Sequence, residues 1–115
     1  MMLEVLYTMS LLVQLFHSIE ELSTGFHKKW YLFTMPFWVF LAFEIAFSLF
    51  WIVVLVNRTF PNRELFQTSF LVLMFANGIQ HLVWWRAKKK YVPGLITAFL
   101  HIFVFLIFYS QVLLK

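Results

Sequence analysis

The chain has 115 residues, 63% of them hydrophobic and 12% charged, a formal net charge of +4 at pH 7 and a mean hydropathy of +0.84. A soluble domain carries about 25% charged residues, so too little polar surface exists here to cover a water-soluble globule, and lipid is the expected solvent. The length bounds the chain to one domain, and the absence of cysteine excludes disulfides and thiolate metal sites.

In chain order, the first apolar segment covers about 3–22. It lacks a basic leader region, carries Glu4 and offers no small-x-small cleavage site, so it reads as a retained helix. It ends in 17-HSIEE-21, and the loop 23-STGFHKKWY-31 follows with Lys28 and Lys29. The second segment, about 32–56, places Pro36 in its first turn, where a missing N–H is tolerated. Ala42 and Ala46 form a small-xxx-small pair on it, and Glu44 is its one charge-capable group. Pro61 and Asn62 turn the loop 57-NRTFPNRE-64.

The third segment, about 65–85, carries Asn77 and His81, with Ala76 and Gly78 as a second candidate for close helix approach. After 86-RAKKKY-91 the fourth segment, about 92–114, begins with Pro93 in its first turn and carries Thr97 and His101. Each segment is near the ~20 residues that cross a ~30 Å hydrocarbon core, and the alternating ~10-residue segments of a barrel are missing. The expected fold is all-α, a single polytopic domain of four transmembrane helices in a small bundle.

Charge orients the bundle. The loops after the first and third segments share one face and hold Lys28, Lys29, Arg86, Lys88, Lys89 and Lys90. The other face holds Arg58, Arg63 and Lys115, with Glu4 and Glu64 beside them. The positive-inside rule puts the six-residue face in the cytoplasm and both termini outside. Three lysines beside Trp84, Trp85 and Tyr91 read as an anchor against anionic headgroups rather than a nucleic-acid patch.

The polar residues gather at one depth. Counted inward from the basic face at ~1.5 Å per residue, His17, Glu20, Glu21, Asn77, His81, Thr97 and His101 mostly fall ~5–15 Å below the interface. Glu44 lies somewhat deeper. His17, Glu20 and Glu21 span about 100° of one helix, and the pairs Asn77/His81 and Thr97/His101 are i, i+4 neighbours. Carboxylates facing lipid are far costlier than carboxylates facing the bundle, so one inward polar chamber is expected. Two imidazoles and two or more carboxylates from different helices make an oxygen/nitrogen metal site, with His17, Glu21, His81, Glu44 and His101 as candidate ligands for zinc or iron. Each residue also has a plainer role. Glu20 and Glu21 would end a helix at headgroup level, and Glu44 would bond Ser48 or a nearby backbone group. Asn77 and His81 would act as interhelical glue, His101 as a hydrogen-bonded core histidine, and His27 as a solvated loop residue. The coincidence of depth and face, rather than any one residue, favours a site.

The chain resembles the bacterial HXXEE family of small integral membrane proteins. The resemblance rests on His17, Glu20 and Glu21, on Asn77 and His81 in 77-NGIQH-81, and on Tyr91, Pro93, Gly94 and Thr97 in 91-YVPGLITA-98. It covers nearly the full chain and implies a shared polar site on the first, third and fourth helices in a bacterial membrane. It names no substrate, and Glu44 and His101 lie outside the pattern.

The leading expectation is a metal-dependent membrane enzyme of hydrolase or transferase type, acting on a lipid or isoprenoid-like substrate. His17 and His81 would be ligands, one of Glu20 and Glu21 a third ligand and the other a base, with Asn77 and Thr97 orienting water or substrate. Tyr91, Pro93 and Gly94 would present the N-terminus of the last helix to a phosphate or carboxylate. Three alternatives stand beside it: a proton- or ion-coupled transporter, which would need an oligomer; a haem carrier ligated by His81 and His101; and a structural membrane subunit.

Overall fold

The structure, a computed structural model, describes residues 2–114; Lys115 lies outside the described residues. α1 runs Met2–Thr24 without Gly or Pro and stops at Gly25, whose φ of +80° breaks the helix at little cost. Phe26–Lys29 then forms a single turn, α2, inside what the sequence read as plain loop. The chain continues irregularly to Pro36, pinned by Met35 N–H donating to His27 O at 2.8 Å. Pro36 caps α3 (Phe37–Val56) instead of lying in its first turn, so this helix starts five residues later than expected. The reason is local: a residue preceding proline avoids the helical region, which keeps Met35 out of the helix.

α4 spans Arg63–Lys88. α5 spans Leu95–Phe108 and continues into a wider π-type turn at Tyr109–Leu113. Gly94, at φ +87°, occupies the cap of α5, so Pro93 stands before the helix and not within its first turn.

Three helical stretches are long and apolar enough to cross a membrane: Met2–Thr24, Phe37–Val56 and Leu95–Leu113. α4 has the length, with 26 residues, but Gln67, Asn77, Gln80 and His81 dilute its apolarity. Apolarity therefore supports three spans where the sequence reading counted four. The outward surface is strongly apolar, with Phe16, Trp38, Leu65 and Phe103 all at least 60% exposed, which is compatible with a membrane environment.

α1, α4 and α5 pack closely, and α3 leans on α1. Gly78 sets the α4–α5 distance, because a Cβ there would lie 2.9 Å from Ala98 O and 2.9 Å from Ile102 Cγ1. Ala42 and Ala46, by contrast, are exposed and mark no seam. Charged residues tie the helix ends together at one end of the bundle. There Arg63 donates to Val54 O (2.9 Å) and Leu55 O (2.5 Å), satisfying the last carbonyls of α3, and to Glu4 Oε1 (2.5 Å). Arg58 adds a looser 3.7 Å contact to Glu4.

Two apolar clusters bracket the interior. Tyr7, Leu11, Trp51, Val54, Phe70 and Met74 fill the Arg63 end, and Phe26, Phe40, Trp84, Val92 and Leu95 fill the lysine end. Between them lies a buried polar layer that includes His17, Glu21, Glu44, His81, Thr97 and His101.

Candidate metal centre

The site begins with Glu20. Its carboxylate accepts Thr97 N–H (2.9 Å), Ile96 N–H (3.1 Å), Thr97 Oγ1–H (2.6 Å) and the Tyr91 hydroxyl. These are the free N–H groups of the first turn of α5, where an acidic group is favoured by geometry and by the helix dipole. The helix end expected to receive a ligand anion is therefore closed by the protein's own carboxylate. Tyr91 is part of that closure: partial burial and the Glu20 carboxylate beside it push its phenol up to about 12.

Thr97 transmits this arrangement to His17. Its single hydroxyl proton goes to Glu20, which accepts from four donors, so Thr97 Oγ1 must accept at its 2.6 Å contact with His17 Nδ1. His17 thus carries its proton on Nδ1 and presents an Nε2 lone pair. A second contact agrees. Gln80 donates to Asn77 Oδ1 (3.0 Å), which turns the Asn77 amide nitrogen toward His17 Nε2 at 3.2 Å.

That lone pair faces Glu21. Glu21 Oε2 lies 3.2 Å from His17 Nε2 and 3.1 Å from His81 Nε2. Among the described residues His81 Nδ1 has no hydrogen-bond partner, and Glu21 is the polar group that Nε2 faces. All three side chains are buried, and one ligand atom from each lies within 4.8 Å of the others. A lone pair opposed to a carboxylate at this range is repulsive unless a proton or a metal ion lies between them, and a site that can hold the one can exchange it for the other. Ligand atoms ~3.3 Å apart are what a tetrahedral ion bound at about 2.0–2.1 Å requires. Two neutral imidazoles and one carboxylate suit zinc or ferrous iron, and the Glu20–Thr97–His17 relay is the outer support such ligands need.

Gly94 covers this cluster from the α5 side. A Cβ there would come within 2.6 Å of His81 Cε1, 2.8 Å of His17 Cε1 and 3.1 Å of Glu21 Cγ. The opposite side opens into a cavity of about 610 Å³ between α3 and α4, lined in part by Glu21, Glu44 and Asn77.

Two sequence candidates stand apart from the three-residue cluster. Glu44 accepts from Ser18 Oγ on α1, not from Ser48 on its own helix. His101 donates from Nε2 to Gln14 Oε1 at 3.0 Å, and Gln14 in turn donates to Ser18 Oγ at 3.3 Å. The His17 ring packs against both His81 and His101, at centroid distances of 4.7 and 5.2 Å. A porphyrin between the latter two would have to displace contacts that His17 and Gln14 already make. His27 is half-buried, edge-on to Phe37 at 5.2 Å.

Sequence reading passed over Ser18, Gln80 and Trp30. Ser18 adjoins His17 on a buried face, and Gln80 lies i+3 from Asn77, so helical spacing carried a signal for both. Trp30, which donates to Gln80 Oε1 at 3.3 Å from an irregular segment, carried none.

A family model described as a protein of unknown function with HXXEE motif matches residues 8–109. No curated protein and no solved structure matches the chain.

Proposed function

We propose, for a chain that belongs to the HXXEE family, a metal-dependent enzyme embedded in the bacterial cytoplasmic membrane, of hydrolase or transferase type, with a lipid-like substrate. The observation that carries the reading is the convergence of three potential ligand atoms in a buried site, His17 Nε2 and His81 Nε2 at 3.2 and 3.1 Å from Glu21 Oε2. Zinc or iron held there would supply a Lewis acid and an acidified water. Thr97 fixes the His17 tautomer, and Asn77 orients groups beside it. Glu20 is committed to the end of α5, which leaves Glu44, on the cavity wall, as the carboxyl available to take up and return a proton.

The topology belongs to the same proposal. α4 crosses with α1, α3 and α5 because its polar face is turned inward, giving four spans. The end bearing Lys28, Lys29, Arg86 and Lys88–Lys90 faces the cytoplasm, and both termini face outward. Single cysteines introduced into this cysteine-free chain test it: an impermeant maleimide should label Arg58→Cys and not Lys89→Cys in intact cells.

The central test is metal analysis of detergent-purified protein, followed by lipid turnover after metal removal and reloading. One metal per chain is expected, lost in His17→Ala, Glu21→Ala and His81→Ala. A wild type that holds no stoichiometric metal and cannot be loaded ends the proposal.

One observation favours a second reading. The buried file Glu21, His17, Gln14 and Ser10 continues down α1 toward buried Gln67, whose amide nitrogen has no partner among the described residues. Such a file suits proton movement, and proton flux in liposomes that depends on Glu44 would support it.

A further inference from the structure

α3 and α4 meet through Trp51, Val54, Phe70 and Met74 near the Arg63 end and leave a groove toward the lysine end. The groove measures about 610 Å³, within the range of small-molecule sites. Its rim, at Phe33, Val39, Phe43 and Leu73, is exposed on the flank of the bundle. That flank is apolar, so the groove opens sideways into lipid. Its floor is buried and polar, formed by Glu21 and Glu44 with the amides of Gln14 and Asn77 nearby.

We propose that this groove is the binding site for a single-chain amphiphile with an uncharged, oxygen-bearing head such as an ester or amide, which enters laterally from the membrane and places its head at Glu21, Glu44 and Asn77. The proposal deepens the enzymatic reading, on which only the fate of the head depends; the chain site stands on the groove itself. Three features select this occupant. A transmembrane helix laid in the groove would bring apolar side chains onto two carboxyls, whose acceptor capacity beyond Ser18 and the histidines would go unmet in a medium that offers no donors. Volume sets the chain number: 610 Å³ holds roughly 20 water-sized groups, enough for one acyl chain and a small head but not for two chains. Charge limits the head: Glu44 stands on the floor outside the three-residue cluster, no Lys or Arg is among the lining residues to receive a free fatty acid or a phosphate, and Glu20 already fills the anion-accepting end of α5.

The test is photolabelling in nanodiscs of two-chain phosphatidylcholine, which avoids competition from detergent. The probe is a monoacylglycerol carrying a diazirine midway along its chain, with the corresponding fatty acid and a two-chain diazirine phospholipid as comparisons. Peptide mass spectrometry should place the label on residues 39–47 and 73–80, and excess unlabelled monoacylglycerol should suppress it. Ala76→Phe, which fills the mouth from an exposed position, and Leu73→Trp at the rim should each lower labelling at least tenfold while leaving metal content unchanged. His81→Ala should lose metal and keep the label, so failure of the metal reading and failure of the groove give different results. Three results would each overturn the proposal: label spread over outward positions such as Phe16 and Phe103, label insensitive to both groove variants, or equal labelling by the phospholipid or fatty acid.

Discussion

The Thr97 hydroxyl accepts a hydrogen bond from His17 Nδ1 at 2.6 Å, and this contact decides which face of the imidazole meets Glu21. Because the same hydroxyl must donate to Glu20, its acceptor role toward His17 is forced rather than chosen. Removing the hydroxyl at constant shape should release the tautomer. Thr97→Val should weaken metal affinity about 10–100-fold, read by competition with a chromophoric chelator, and Thr97→Ser should restore it. Unchanged affinity in the valine variant would mean the relay does not support the site.

Gly94 has both a space constraint and a backbone constraint. Its φ of +87° disfavours any L side chain, and a Cβ would overlap the carbons of both imidazoles. Gly94→Ala should cost at least ~1–2 kcal/mol and displace His17 and His81. A lowered melting temperature together with loss of metal is expected. A variant that melts lower yet holds full metal would show that the glycine serves the turn alone.

Glu20 and Glu21 are sequence neighbours with different work. Glu20→Ala should destabilise the start of α5 by about 1–2 kcal/mol, as loss of a helix cap does, and still bind one metal at saturation. Glu21→Ala should abolish metal binding. Equal loss of metal in both variants, with no change in melting temperature for Glu20→Ala, would make Glu20 a ligand and not a cap.

Tyr91 offers a pH readout outside the spanning segments. Its phenol is pushed up to about 12 by burial and by the Glu20 carboxylate. An unfolded tyrosine ionises near ~10, so the native state retains the proton longer. The associated stability is fully present below ~10 and is lost as pH rises toward about 12. The 295 nm absorbance difference between wild type and Tyr91→Phe should stay flat through pH 10.5. In Glu20→Gln the same transition should move downward.

The sequence by itself determined the all-helical class and which polar residues could gather. A 63% hydrophobic chain divided into long apolar segments reads as a helical bundle compatible with lipid, where only internally satisfied backbone survives, although apolarity supports three spans and the sequence reading counted four. Helical spacing put His17 and Glu21 one turn apart and placed Asn77 four residues before His81, so the ring of polar groups was legible from arithmetic. What spacing does not encode is which atom meets which. Pro36 and Gly94 moved two helix starts through local backbone preferences that periodicity overlooks. Only the packing of α5 on α1 sent Glu20 to the free N–H groups of that helix and left Glu21 to the histidines. Two adjacent glutamates point about 100° apart on a helix, so their roles depend on which neighbour each direction meets. The groove beside Glu44 is likewise a property of how α3 and α4 diverge, since an apolar side chain facing lipid and one facing a cavity read the same in sequence.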